Sequence, residues 1–309
     1  MHVLHVSDLC HLDASFGTER YQHDLVVESG RHGVRGTLLW LAARAVASPP
    51  GAAVRVVPLT TPSLDRLRGE VDGLLAADPP TLLHFHSCGR AESVVAQLAR
   101  QRRIPAVFTY HSPATLCPTG SLLRWGAVVC DGALRAWRCG ACTRVEFLRA
   151  VPRALHWQRL RQWSAATASI EIGEPESLRQ RGRAARAFLA SCDRVLVHGA
   201  ATRRVPLANG VRPEAVTVCP PGVSAAFADA APARVAPAES EPFVVGYVGR
   251  LDRLKGLGVL VDAFMRTTWP AARLRIAGVT AAQRHGAGYA QRVMARARRD
   301  PRIGFGGER

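Results

Sequence analysis

Lysine is almost missing from this chain. Of its 41 lysines and arginines a single one is a lysine, Lys255. Aromatic residues make up only 6% of the 309 residues. No arginine-rich tract alternates with rings, so the chain lacks the stacking platform of a single-strand binder, and no nucleic-acid partner is expected. Nor does any stretch reach the roughly 18 uninterrupted apolar residues of a membrane-spanning helix. The opening residues MHVLHVSD alternate as a strand does, with no charged segment leading into an apolar core, so a secretory leader is not expected. No pair of carboxylates stands out for hydrolytic acid–base chemistry. What these absences leave is a soluble, cytoplasmic protein with enough apolar residues for one large domain or two smaller ones.

The formal net charge of +17 is spread along the chain rather than gathered in a tract. That distribution suits an anionic substrate or an anionic membrane face. In so lysine-poor a composition the position of Lys255 is informative, because a compact ammonium suits a phosphate oxygen while the arginine fork suits planar, bidentate partners. Lys255 lies in Gly249-Arg250-Leu251-Asp252-Arg253-Leu254-Lys255-Gly256. Phe243–Val248 reads as a buried strand before it, and an apolar-periodic helix follows from Leu257. Lys255 is thus expected at a helix start beside a strand's carboxyl end, where open α/β sheets collect phosphates.

Strand-like and helix-like runs alternate from the first residue. His2–Ser7, Ala53–Pro58, Thr81–His86 and Pro105–Tyr110 read as strands, separated by helical runs over Thr18–Gly30, Ser63–Ala76 and Arg90–Gln101. Arg194–Val197, a helical Ala200–Asn209 and a strand Ala215–Cys219 follow. Ala225–Glu241, rich in Ala, Pro and Glu, reads as a linker. Beyond it come strands at Phe243–Val248, Arg273–Ala277 and near Arg302–Phe305, with helices at Gly256–Phe264 and near Tyr289–Arg299. Such alternation implies parallel sheets with helices on both faces. The expected division is 1–224, with a cysteine-rich insertion at about 111–163, a linker 225–241, and a second domain 242–309.

In this order the pieces resemble the retaining glycosyltransferases of family 4. Phe16-Gly17-Thr18-Glu19-Arg20 with Ser29-Gly30-Arg31-His32-Gly33 resembles the family's glycine loop and the turn after its first helix. Thr109-Tyr110-His111-Ser112 is similar to its T-x-H-D strand end, and Val216–Val223 with Phe227 to its Pro-x-Gly-Val segment. The strongest match is Val245–Asp252 with Lys255-Gly256 and the helix ending Asp262-Ala263-Phe264. The resemblance implies a GT-B-like α/β fold of two Rossmann-like domains facing a cleft, the second only partly present. It implies transfer of a sugar from a nucleotide-diphosphate sugar, with retention, to an acceptor that is a saccharide, a lipid-linked molecule or a small molecule. His111 would approach the donor sugar and reaction centre, Gly17 would let the backbone approach the diphosphate, and Arg250 with Lys255 would clamp it. Two departures stand out: Phe16 occupies the place of the family's other loop glycine, and the chain ends before the region that carries the family's paired glutamates. The alternative is an inactive fragment acting at most as a binding module.

Cys117, Cys130, Cys139 and Cys142 fall within 26 residues as C-x12-C-x8-C-x2-C. Three outcomes are open for them: a structural four-thiolate zinc site, free thiols, or disulfides. His84 and His86 alternate onto one strand face and read as packing residues. Arg144–Trp163 is basic and amphipathic, which allows peripheral contact with the inner membrane face.

Overall fold

β1 (His2–Ser7) is buried at all six positions, as a parallel strand covered on both faces must be. It lies within a seven-stranded sheet in the order β3-β2-β1-β4-β5-β8-β9. The other members are β2 (Arg35–Trp40), β3 (Arg55–Pro58), β4 (Leu82–Phe85), β5 (Ala106–Tyr110), β8 (Arg194–Val197) and β9 (Val216–Val218). Every neighbouring pair is parallel. Helices α1 (Gly17–Arg31), α2 (Leu64–Ala77) and α3 (Arg90–Gln101) make crossovers. The chain winds outward from β1 through β2 and β3, then returns to β4 on β1's other side. The topological switch point therefore lies between β1 and β4.

The computed structural model describes residues 1–8, 17–41, 55–58, 63–125, 127–150, 175–230, 241–251, 253–278 and 287–306. They divide into two units, Met1–Ala231 and Pro232–Arg309. In the first, Leu4, Val6, Leu83, Phe85, Phe108 and Phe188 form the centre of the core. Phe188 stands edge-on to Phe85 and Phe108, with ring centroids 5.2 and 5.3 Å away. The second unit is a parallel sheet of β10 (Val244–Val248), β11 (Arg273–Ala277) and β12 (Ile303–Phe305). Its core gathers Leu257, Val261 and Phe264 from the helix Leu257–Met265, Leu274 and Ile276 from β11, and Ala290 and Val293 from the helix Ala287–Ala297. Parallel α/β architecture is thus found in both units.

Several sequence expectations need correction. β2 is not marked by the pattern, because Gly36–Trp40 is buried throughout and runs into further apolar residues without a period-2 boundary. The run Phe243–Val248 is not a buried strand: β10 starts at Val244 and is an edge strand of its sheet among the described residues, and Phe243, Val244 and Val248 are exposed. The segment read as a linker begins with a short helix, Ala225–Asp229. The helical run at Ala200–Asn209 is a 3-10 turn, Ala200–Thr202, followed by a helix Arg204–Ala208. Phe16, Asp252 and most of the basic amphipathic segment Arg144–Trp163, namely residues 151–163, lie outside the described residues.

The cysteine-rich insertion is built on a short antiparallel hairpin of β6 (Leu123–Arg124) and β7 (Val128–Val129), followed by the helix Ala136–Ala150. Asn209 ties it to the sheet domain. Its amide nitrogen donates to the carbonyls of Gly132 (2.9 Å) and Val205 (2.8 Å), and its oxygen accepts from the Leu134 amide (3.0 Å). The side chain is buried, so Asn209→Ala strands three backbone groups at once. We expect that variant to lose about 3 kcal/mol of stability in urea unfolding, since each orphaned buried partner costs about 1–3 kcal/mol; a change below about 0.5 kcal/mol would mean the insertion is held elsewhere.

Candidate active site

In open parallel sheets, ligands gather at the carboxyl ends of the strands beside the switch point. Here those ends carry histidines. The register sets His5 of β1 opposite His84 of β4. His86 follows β4, His111 follows β5 and His198 follows β8. The His86 amide donates to the Val6 carbonyl at 2.9 Å, which extends the β1–β4 ladder one step past the end of β4. Ser87 adds a pin, accepting from the Asp8 amide (2.9 Å) and donating to the buried Glu92 carboxylate near the start of α3.

The rings join into a row. His5 Nδ1 lies 3.0 Å from His86 Nε2, His86 Nδ1 lies 2.9 Å from His111 Nε2, and His111 Nδ1 lies 3.0 Å from His198 Nε2. His198 Nδ1 then meets the Cys219 carbonyl oxygen at 3.4 Å. His84 stands beside the row, its ring centroid 4.1 Å from that of His86, and bonds the Thr109 hydroxyl at 2.7 Å. Tyr21, from α1, packs edge-on against His111 and His198, with centroids 4.8 and 5.5 Å away.

Burial disfavours charge at His5, His84, His86 and His111. Desolvation first, and then the neighbouring rings, push His5 down to about 4 and His84 and His111 down to about 3. His86, also driven mainly by burial, falls well below the ordinary value. All four are neutral imidazoles near pH 7. His111 stands at the carboxyl end of β5, where the sequence put it, but both of its ring nitrogens are engaged by other histidines. His84 and His86, read from the sequence as packing residues, are members of the cluster. His5 and His198 were missed. Their signal was faint, a histidine at or just past the end of a strand-like run in VLHVS and VLVHG.

The four cysteines do not assemble as a four-thiolate site. Among the described residues the group whose ligand atoms lie within 4.8 Å of one another is His5, His84 and His86, and no three sulfurs meet that condition. Two of the sulfurs make hydrogen bonds, Cys117 with the Thr119 hydroxyl (3.3 Å) and Cys142, from the helix, with the Trp125 amide beside the hairpin (3.3 Å). All seven described cysteines are free thiols. At Cys117 burial pushes the thiol up, but hydrogen bonds from Thr119 and from the amides of Leu122, Thr119 and Ser121 outweigh it and leave the net shift downward. The three imidazoles are already committed to hydrogen bonds, to one another and to Thr109, which accounts for their close approach.

The second unit carries the cationic loop. Gly249, just after β10, runs its backbone against Gly278, just after β11; a Cβ on Gly278 would collide with the Gly249 carbonyl oxygen. Arg250 follows, exposed, and its carbonyl accepts from the Tyr247 hydroxyl at 2.7 Å. A 3-10 turn, Arg253–Lys255, leads to Gly256, the N-cap of the helix Leu257–Met265, at φ 73°. Lys255 is therefore exposed immediately before a helix N-terminus, as the sequence implied. Gly17 begins α1, and among the described residues a Cβ there would meet nothing within 4 Å, so no described neighbour demands its small size.

The histidine row predicts a pH dependence. An unfolded histidine titrates at about 6.5, whereas the folded rings resist protonation until far lower pH. The unfolded chain therefore binds more protons as pH drops, so the row's contribution is complete above about 6.5 and is lost toward 3–4. Urea midpoints should fall from about pH 7.5 to about pH 5, each ring adding a slope of up to about 1.4 kcal/mol per pH unit. A flat profile would show that the rings accept protons in the folded state.

Comparison with known proteins agrees with this fold. The structure of HepE from Anabaena in complex with UDP is similar over 100% of this chain and 70% of its own, with a TM-score of 0.59 and 15% identity. HepE in complex with UDP-glucose gives a TM-score of 0.58 at 15% identity, over 100% and 69% of the two chains. The apo form of the lipopolysaccharide outer core galactosyltransferase WaaB gives 0.57 at 11% identity, over 100% and 68%. Likeness at such identity is likeness of fold, here that of the GT-B glycosyltransferases. No curated protein matches the chain in sequence. The model of Glycosyltransferase Family 4 matches residues 17–227, which span α1 through the end of the seven-stranded sheet and more than half of the chain. The chain belongs to Glycosyltransferase Family 4.

Proposed function

We propose that this protein transfers a sugar from a nucleoside-diphosphate sugar to an acceptor hydroxyl, with retention of configuration. The observation that carries the reading is the placement of the chain's only lysine. Lys255 stands just before a helix N-terminus, in the same loop as Arg250 and beside a strand's carboxyl end. As the bond from the anomeric carbon to the leaving phosphate breaks, negative charge grows on the diphosphate. A cation and helix amides directed at that charge lower the barrier, one such donor being worth about 3 kcal/mol. In this reading the unit Pro232–Arg309 holds the donor's diphosphate through Arg250 and Lys255, and Met1–Ala231 serves the acceptor side. His111 lies against the transferred sugar, and the open face at Gly17 admits a phosphate to the start of α1. Retention follows the family resemblance, with a leaving-phosphate oxygen taking the acceptor's proton. The UDP and UDP-glucose held by HepE make uridine nucleotides the first donors to try. Saccharide or lipid-linked acceptors of envelope or polysaccharide assembly are the class to pair with them.

Calorimetric titration with UDP and UDP-glucose tests the clamp. The natural chain should bind both, and Lys255→Ala should weaken binding at least tenfold, about 1.4 kcal/mol, with an unchanged melting temperature. Lys255→Arg should recover only part of the loss, because a fork does not replace a point charge. Equal affinity in the Lys255→Ala chain would remove Lys255 from the site. No nucleotide binding by the natural chain would remove the nucleotide-sugar reading.

A further inference from the structure

We propose that His198 is a positioning residue that sets the tautomer of His111 and, through it, those of His86 and His5. The functional consequence rests on the reading of His111 given above; the tautomers themselves do not.

A neutral imidazole has one N–H donor and one lone-pair acceptor. The four rings are joined head to tail in one sense, each Nδ1 facing the next ring's Nε2. Within the row every link could run in either direction. Only the last cannot: His198 Nδ1 faces the Cys219 carbonyl oxygen, which accepts and never donates. That carbonyl belongs to a pinned segment, since the Cys219 amide donates to the Val197 carbonyl at 2.8 Å where β8 meets β9. In its neutral form His198 therefore carries its proton on Nδ1 and offers the Nε2 lone pair to His111. His111 must then donate from Nδ1 and accept at Nε2, His86 likewise, and His5 donates from Nδ1. The reverse arrangement has one hydrogen bond fewer and sets a lone pair against the carbonyl oxygen. All four rings take the Nδ1–H form, whereas free neutral histidine in water favours Nε2–H.

For His111 the outcome is specific. Its lone pair points inward to His86 and its N–H points to His198, so neither nitrogen is left to take a proton from a substrate. His111 then meets a ligand through its ring edge, as an uncharged shaped wall rather than as a general base.

The test is nitrogen NMR on the full chain labelled with 15N-histidine, without ligand, at about pH 8. Long-range proton–nitrogen correlations report which ring nitrogen is protonated. Nδ1–H is expected at His5, His86, His111 and His198. His198→Glu, which can only accept, should leave Nδ1–H at His111. His198→Lys, which can only donate, should reverse His111, His86 and His5 to Nε2–H, carrying the switch to the far end of the row. Nε2–H or mixed forms at His111 in the natural chain overturn the proposal. So does a Lys variant that leaves His86 and His5 unchanged, and so do metal-shifted nitrogens at His5 and His86. Should the Lys variant fail to fold, the natural chain's spectrum decides alone. No nucleotide is needed, so this result stands apart from the nucleotide titration.

Discussion

A buried imidazole must find both a donor and an acceptor, and that requirement organises the functional end of the larger sheet. Leaving either nitrogen unmatched in a core costs about 1–3 kcal/mol. β1, β4, β5 and β8 each deliver one or two histidines to the same end of the sheet. The rings meet the requirement by bonding one another. The parallel register makes this workable: strands about 4.8 Å apart bring successive rings into hydrogen-bond range without bending the backbone. The fold therefore supplies the spacing, and the row in turn links the strand ends around the switch point.

The two units solve different electrostatic problems. In the larger, burial removes charge: His5, His84 and His111 are held far below the usual histidine range. In the smaller, Arg250 and Lys255 sit exposed on a loop that runs into a helix start. Tight backbone crossings there depend on glycine. Gly249 and Gly278 are at φ 153° and 158°, and the carbonyl of one occupies the space a side chain on the other would need. A larger residue at Gly278 would displace the Gly249 carbonyl, and at Gly249 the positive φ itself disfavours one, so the start of the cationic loop is constrained where β10 and β11 end.

Much of this was legible in the chain and some of it was not. The helix Arg90–Gln101 and the strands His2–Ser7, Arg194–Val197 and Arg273–Ala277 were placed at their observed bounds, since each has clear flanks or a clean period. β2 was invisible because a strand buried on both faces shows no alternation. Lys255 could be placed because its surroundings are local: strand, loop and helix follow one another within a few residues. The histidine row could not. Its members come from residues 5, 86, 111 and 198, and only the strand order brings them together. The cysteines show the opposite failure. Close spacing in sequence suggested a four-sulfur site, yet among the described residues no three of these sulfurs come within 4.8 Å of one another.

A neutral His111 is what the proposed chemistry requires. When a glycosidic bond breaks, the anomeric carbon takes on oxocarbenium character while the diphosphate gains negative charge. A cation beside the sugar would oppose the first change; a cation beside the diphosphate favours the second. Isolated at a strand end, a histidine near its ordinary pKa would be partly charged at neutral pH. Within the row it is not, because a second proton on His111 Nε2 would have to face the N–H of His86, and a charge there would lie in the desolvated core. Under the proposed function the two demands would fall to different groups: positive charge at Arg250 and Lys255 for the leaving group, and an uncharged ring at His111 for the sugar. On this argument His86 would matter to the reaction although it need not touch a substrate, because its N–H faces the one nitrogen at which a neutral His111 could take a second proton.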